Sequence, residues 1–210
     1  MRIFLSLVVL FFLPLPLAHG VSVHTDNGTY QKASAINNNE VSISVGISFP
    51  FQTSVNLGYA MGVDYKYRFN NGLGLGLNGL LMRNSSDDSK SIGVALIGPF
   101  FSSSPLVQIG NRHRATIRVG AGPLFYSSSD FSESQHKITK GHTFGFHVGY
   151  NYECRLSKRF SICFIGNGVS GSISKVIVSG NGTSQTINLD EDDCIKLCYL
   201  SASIGLCYLF

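Results

Sequence analysis

Ionisable side chains occur in three short segments of the chain, between apolar or small residues, and in the first segment they recur at every second position. These residues are Asp64, Lys66, Arg68, Arg118, His147 and Glu153. A spacing of two places such side chains on one face of an extended strand. There they could pair with one another or line a path for a charged solute. We predict a mutually neutralising polar network, because an unpaired ion in a confined interior is strongly disfavoured.

Catalytic chemistry is not indicated by the remaining reactive side chains. His142 is close to two phenylalanines, and Ser127 to Ser129 lie before it in a polar segment, but no nucleophile–base–orienter spacing emerges. Gly74-Leu75-Gly76 lacks the following helix that a phosphate loop requires. Cys194 and Cys198 lack the spacing and the His partners of a metal site. We therefore predict no catalytic residue, metal or cofactor, and no enzymatic activity.

A period of two is the dominant pattern that would position these side chains. Between Gly58 and Phe69, apolar and aromatic residues alternate with tiny or charged ones. The same alternation begins at Glu40 and recurs at 73–78, 116–122 and 144–153, with weaker versions at 92–101 and 160–169 and a last strand from about Cys194 to Phe210. Alternation of this kind is typical of strands with one apolar face. The fold prediction is an all-β domain of eight strands.

Composition limits the other classes of protein. Charged residues make up 13% of the 210 residues and hydrophobic ones 44%, which is not the composition of a disordered chain. The formal net charge is only +4, and no segment gathers it into a basic stripe. We therefore expect no nucleic-acid partner.

The first twenty residues have the layout of a secretion signal. Arg2 is followed by an apolar run from Ile3 to Leu17, and Ala18-His19-Gly20 offers small residues at the positions before a cleavage site. The run is too short for a spanning helix and contains two prolines. We predict a signal peptide at 1–20 that is cleaved after Gly20, a polar lead-in at 21–39 and a β-domain at 40–210.

The two faces of the predicted strands favour a membrane barrel over a soluble sandwich or a lipocalin-like barrel. The polar faces carry mostly glycine and other small residues, as a crowded narrow lumen requires. Aromatic residues gather near strand ends, as at Tyr65 and Tyr67. We also expect the connections to alternate, with tight turns at 70–72 and 156–159 and long polar loops at 83–90, 127–140 and after Lys175. Strands are stable in lipid only within a closed ring, because every backbone N–H and C=O group must be paired there.

The C-terminal strand carries a pattern of its own. Phe210, Tyr208 and Leu206 share one face, and the chain ends on the aromatic residue. This ending resembles the C-terminal insertion signal of outer-membrane barrel proteins. With the signal peptide, the chain resembles the porin-like small outer-membrane β-barrel family, the eight-stranded barrels similar to outer membrane proteins A and X.

The resemblance implies an eight-stranded antiparallel up-and-down transmembrane β-barrel in the outer membrane of a Gram-negative bacterium. It implies contact with outer-membrane lipid and lipopolysaccharide, and recognition by the barrel-assembly machinery. Residue parity adds one hypothesis about the five cysteines. Cys163 and Cys207 should both point into the lumen near the ends of neighbouring strands, where a disulfide could join them.

The segment around Gly180-Asn181-Gly182 is the best indication of activity. Asn-Gly between stretches of β-forming residues predicts a hairpin that projects beyond the membrane. An acidic cluster at 190–193 follows it. We expect a structural, surface-interaction or adhesion role, with host or cell-surface proteins as partners of the loops. A narrow pore for small solutes is the alternative, and a lipid-modifying enzyme is a more remote one.

Overall fold

The computed structural model describes residues 38–52, 55–69, 72–87, 90–104, 112–132, 135–180 and 183–210. The predicted signal peptide, with its cleavage site, and almost all of the predicted lead-in lie outside these residues, as do Asn181 and Gly182. The first strand begins at Asn39, one residue before the predicted start of the β-domain.

Ten strands occur in the described residues: β1 (Asn39–Pro50), β2 (Gly58–Arg68), β3 (Leu73–Asp87), β4 (Lys90–Ser103), β5 (His113–Ser132), β6 (Gln135–Arg155), β7 (Phe160–Ile173), β8 (Lys175–Gly180), β9 (Thr183–Asn188) and β10 (Ile195–Leu209). Eight of these, β1 to β7 and β10, pair antiparallel with their neighbours, and β10 returns to β1 to close the ring. The predicted eight-stranded up-and-down barrel is therefore confirmed.

The two ends of the barrel differ in their connections. At one end, here called the turn end, Phe69 connects to Leu73 and Arg155 to Phe160, and both Asn39 and Phe210 lie there. The opposite end, here called the loop end, carries the connection between β1 and β2 and the β8–β9 hairpin. Gly72 in the first turn has a φ of 83°, a conformation that favours glycine.

The prediction of long loops at 83–90 and 127–140 is wrong. Most of 83–90 belongs to β3 and β4, and most of 127–140 belongs to β5 and β6, which remain paired as far as Ser132 and Gln135. Beyond the apolar belt both faces of these hairpins carry polar residues, so the alternation of apolar and polar residues disappears. The backbone nevertheless stays paired, because hydroxyl-rich sequence tolerates the strand conformation. The third segment contains β8 and β9.

The outer surface of the barrel is an apolar belt. Outward side chains that are about half exposed include Val63 on β2, Leu77 on β3, Val119 on β5 and Ile204 on β10. Near the turn end the belt becomes aromatic, with Tyr65, Tyr67, Phe69, Phe160 and Tyr208 outward. Such rings suit the interface between lipid and water. None of the described residues forms a helix that is long and apolar enough to cross a membrane.

The larger of two hydrophobic clusters among the described residues lies inside the loop half of the barrel, and the smaller one joins Ile165 to Cys163 and Cys207. Leu80, Leu96 and Leu124 meet in register across β3, β4 and β5, and each is at most 3% exposed. The layer also includes Ala60, Met82, Ile92, Val94, Val169, Ile173, Val176, Leu197 and Tyr199. This arrangement differs from the predicted interior of small and polar residues, which holds for the turn half only.

Candidate functional site

Four charged side chains form a compact ion-pair cluster inside the turn half. Lys66 Nζ lies 3.0 Å from Glu40 Oε1 and 3.1 Å from Glu153 Oε1. Arg68 Nη2 lies 2.7 Å from Glu153 Oε2 and also pairs with Glu40. Strands β1 and β2 supply three of these residues, and Glu153 reaches them from β6 on the far wall. Each ion is buried and faces two opposite charges, which offsets the cost of removing it from water.

A second cluster lies next to the first, towards the middle of the barrel. Arg118 Nη1 donates to Asp64 Oδ2 over 2.6 Å, and its Nη2 donates to Asn167 Oδ1 over 2.7 Å. Asp64 also accepts hydrogen bonds from Asn78 and from the Ser42 hydroxyl. The guanidinium carbon of Arg118 lies 5.7 Å from the centre of the Phe100 ring, within the range of a cation–π contact.

Glu40 is the network residue that the sequence reasoning missed. It is 3% exposed and pairs with both Lys66 and Arg68. The available signal was its parity, because Glu40 shares the face of Ser42 and Ser44, which the alternation assigned to the polar side. With Glu40 included, the two clusters contain three acidic and three basic side chains from the described residues, so their formal charges cancel.

His147 faces the lumen as predicted but lies apart from the ion pairs. Its ring is 1% exposed and packs edge-on against Phe100, with ring centroids 6.3 Å apart. Neither ring nitrogen has a hydrogen-bond partner among the described residues. His147 therefore marks the boundary between the charged clusters and the apolar layer above them.

The interior leaves little free space. Between the charged residues and Phe100 a cavity of about 10 Å³ remains, which is about the room that one water molecule needs. Beyond it towards the loop end lies the buried apolar layer. Among the residues that the structure describes, no group of three or more His, Cys, Asp or Glu side chains is placed to hold a metal ion. The chemistry of this interior is therefore that of charged side chains held in fixed ion pairs.

Cys163 and Cys207 are bonded to each other through their sulfur atoms. They lie on the neighbouring strands β7 and β10, with Cα atoms 6.7 Å apart, and both side chains are buried. The thiols of Cys154, Cys194 and Cys198 are free and partly exposed. The bond therefore cross-links the last two strands of the ring near the turn end.

The C-terminal residues named from the sequence lie together on the lipid-facing side. Phe210, Tyr208 and Leu206 are outward and between 37% and 54% exposed, and the rings of Tyr208 and Phe210 stack with centroids 5.9 Å apart. Their role as an insertion signal stays a prediction.

At the loop end, β8 and β9 form the hairpin indicated by the Asn-Gly pair. Gly180 pairs with Thr183, and β8 also pairs with Lys137–Gly141 of β6. No further strand of the described chain pairs with β9, and all six of its residues are exposed. Asp190, Glu191, Asp192 and Asp193 are also exposed and form the turn that follows.

The architecture is similar to that of several solved barrels, at low sequence identity. Neisserial surface protein A superposes with a TM-score of 0.59 at 11% identity, covering 82% of this chain and 97% of that one. A major outer membrane protein of Thermus thermophilus gives 0.59 at 12%, covering 82% and 99%. The attachment invasion locus protein Ail of Yersinia pestis gives 0.50 at 16%, also covering 82% and 99%.

These likenesses establish the fold: the chain is an eight-stranded barrel of the small outer-membrane type. No protein-family model and no curated protein sequence matches the chain. The geometry and the comparisons together therefore define a class of protein and not its role.

Proposed function

We propose that the chain is an outer-membrane protein of a Gram-negative bacterium that binds an extended segment of another protein at the open edge of β9. The observation that carries this proposal is an exposed edge strand, Thr183–Asn188, without proline or charge. Natural sheet edges are normally protected by such residues, since an open edge is a template for another strand. Strand addition is a common means of recognising extended segments.

The register of the hairpin indicates which backbone groups are available. Because two residues separate Gly180 from Thr183, these two form a hydrogen-bonded pair and the pairs then alternate along the hairpin. The N–H and C=O groups of Ser184, Thr186 and Asn188 therefore point away from β8, towards the open edge. A partner strand would bond to these three residues.

The acidic turn supports a particular chemistry for the partner. Asp190, Glu191, Asp192 and Asp193 follow Asn188 within a few residues, and all four are exposed. Like charges at the rim of a binding surface select partners of opposite charge. The partner that fits is an extended, β-prone segment with basic residues at the end that lies beside Asn188.

Two further features support a surface role rather than transport or catalysis. The lumen is filled by charged pairs in one half and by apolar side chains in the other, which leaves no continuous path along the described strands. By their names, two proteins with a similar fold are a surface protein, Neisserial surface protein A, and an attachment invasion locus protein, Ail. The proposal involves no catalysis and no cofactor.

Substitution at Thr186 tests the proposal. Peptides selected from a random display library against the refolded protein should be β-prone and basic at one end. Thr186→Pro removes the outward N–H and should lower the affinity for these peptides at least about tenfold, the scale of one or two lost backbone bonds. Thr186→Ala keeps that N–H and is the matched control.

Amide hydrogen exchange provides the second readout. Bound peptide should slow exchange at Ser184, Thr186 and Asn188 and leave Ser179 and Val178 unchanged. Equal peptide binding by Thr186→Pro and Thr186→Ala, or protection confined to other loops, would refute strand addition at β9.

A further inference from the structure

An open groove crosses the outer face of the barrel near the loop end, away from both the lumen and the edge of β9. Its volume is about 380 Å³, and its wall is made by β3, β4, β5, β6 and β8. Small residues create the depression, because Gly93, Ala95 and Ser127 lie between larger neighbours. None of the ion-pair residues and none of the residues of β9 line this groove.

Two rows of outward side chains line the groove. In the row nearer the turn end, Leu81, Ala95 and Phe125 are in register, and Leu81 and Phe125 are each nearly half exposed. In the next row, Arg83, Gly93, Ser127 and Lys140 are in register. The first row continues from Phe125 to His142 on β6. The surface therefore changes from apolar or small to cationic across the strands, where β5 meets β6 and β8.

The cationic side of the groove contains Lys140, Lys175 and His142. All three side chains are exposed. Within the part of the chain that the structure describes, neither lysine has a carboxylate within ion-pair distance. The two ammonium groups are thus free to bind an anion.

The position of the groove indicates what kind of anion it meets. Below the two rows, towards the turn end, Ile97 and Phe144 are outward and about 60% exposed, as expected for side chains in contact with acyl chains. Above the two rows, the outward positions of β3, β4 and β5 carry Ser85, Ser91 and Ser129, which suit water. The groove therefore lies where lipid headgroups meet the barrel.

We propose that this groove binds lipid A, with a phosphate held between Lys140 and Lys175 and an acyl chain lying across Phe125 and Leu81. Ammonium groups bind phosphate as point charges, and each basic residue near an anionic headgroup strengthens the attraction. Leu81, Ala95 and Phe125 bury hydrocarbon at the same time. This inference rests on insertion of the barrel in the outer membrane and is independent of strand addition at β9.

Native mass spectrometry of the full chain, refolded in detergent micelles, tests the proposal with two probes. Bisphosphorylated lipid A should bind, and dephosphorylated lipid A should bind at least about tenfold more weakly. The double variant Lys140→Gln/Lys175→Gln should lose about ten- to thirtyfold in affinity for the phosphorylated probe, as expected for two basic residues at a headgroup. Equal affinity for the two probes would overturn the proposal.

The control variant removes the same number of positive charges, but at the turn end of the barrel. Lys158 and Arg159 lie exposed in a turn at the turn end, so Lys158→Gln/Arg159→Gln removes the same charge far from the groove. Its lipid A affinity should equal that of the unmodified chain. If it falls as far as that of the groove variant, the attraction is only a matter of net charge and the site is refuted.

A third variant fills the groove without changing its charge. A Cβ added at Gly93 meets no heavy atom closer than the Ser127 carbonyl oxygen at 3.8 Å, so Gly93→Leu should fold. It should weaken lipid A binding several-fold by occupying the space of the acyl chain, and unchanged binding would contradict the assigned location. Heat-modifiable migration on gels establishes that each variant is folded. Thr186→Pro should bind lipid A normally, which separates a failure here from a failure of strand addition.

Discussion

Arg118 connects the charged clusters to the rest of the interior. It pairs with Asp64, donates to Asn167 and lies over the Phe100 ring. Gly149 is its partner in register on the neighbouring strand β6. The alternation predicted that Arg118 and Asp64 would face inward. It could not say which acid each cation would meet, because partners across the lumen depend on the order and stagger of strands that are distant in sequence.

Arg118→Met should destabilise the barrel by about 3–5 kcal/mol, since it leaves the carboxylate of Asp64 buried without its cation. The double variant Asp64→Asn/Arg118→Met should lose less, because no unpaired charge remains. Urea unfolding in lipid vesicles, followed by circular dichroism, measures both. Lys158→Met, at an exposed position, is the control and should change stability by at most about 0.5 kcal/mol. Equal losses in the single and double variants would contradict the pairing.

Gly149→Ala tests how closely the lumen is packed. An added Cβ would clash with Arg118 Nε and lie 2.9 Å from Asn167 Oδ1, so Arg118 would have to move. We expect a loss of about 1–3 kcal/mol. Gly79→Ala is the matched control, because its Cβ would lie 3.8 Å from the nearest atom, the Val63 carbonyl oxygen. The same unfolding assay should leave Gly79→Ala nearly unchanged, and a reversed order would refute this account of the inner glycines.

At the scale of elements, the hairpins at the loop end show where pattern reasoning fails. Strands β5 and β6 contain 20 and 21 residues, far more than the apolar alternation indicated. Alternation reports a difference between two environments. Where both faces of a hairpin carry mostly polar residues, the difference vanishes although the backbone pairing continues. The Asn-Gly signal did identify β8 and β9, because a tight turn has its own local chemistry.

The Cys163–Cys207 bond joins β7 to β10, and its effect can be measured directly. Cys163→Ser/Cys207→Ser should lower the free energy of unfolding by about 2–4 kcal/mol, because the bond closes a long loop in the unfolded chain. Thiol labelling of the unfolded, unreduced protein should modify Cys154, Cys194 and Cys198 only. Cys154→Ser is the control and should leave stability nearly unchanged. Labelling of all five cysteines would rule out the bond.

On the scale of the whole molecule, two layers of side chains fill the inside of the barrel. Charged pairs fill the turn half, and an apolar layer fills the loop half. Apolar side chains exclude ions because they offer no replacement for hydration. Fixed ion pairs block the remaining space because each charge already has its partner. Either layer alone should stop the passage of solutes.

Planar bilayers containing the purified chain should therefore show no single-channel conductance. Leu96→Ala/Leu124→Ala, which opens only the apolar layer, should remain silent because the charged layer persists below it. A large porin reconstituted in the same way serves as the positive control. Regular conductance steps from the unmodified chain would restore the narrow-pore alternative.

The sequence by itself determined the class of fold, since a period of two, small inward residues and aromatic strand ends are local features that each strand carries alone. It also determined which face the predicted network charges would take, and the parity of Glu40 carried the same information although the prediction did not include it. Only the tertiary structure decided which charges pair across the lumen, that the loop half is sealed by apolar side chains, and that five strands shape a groove on the outer face. These features arise from the stagger of the closed ring, which brings together residues far apart along the chain.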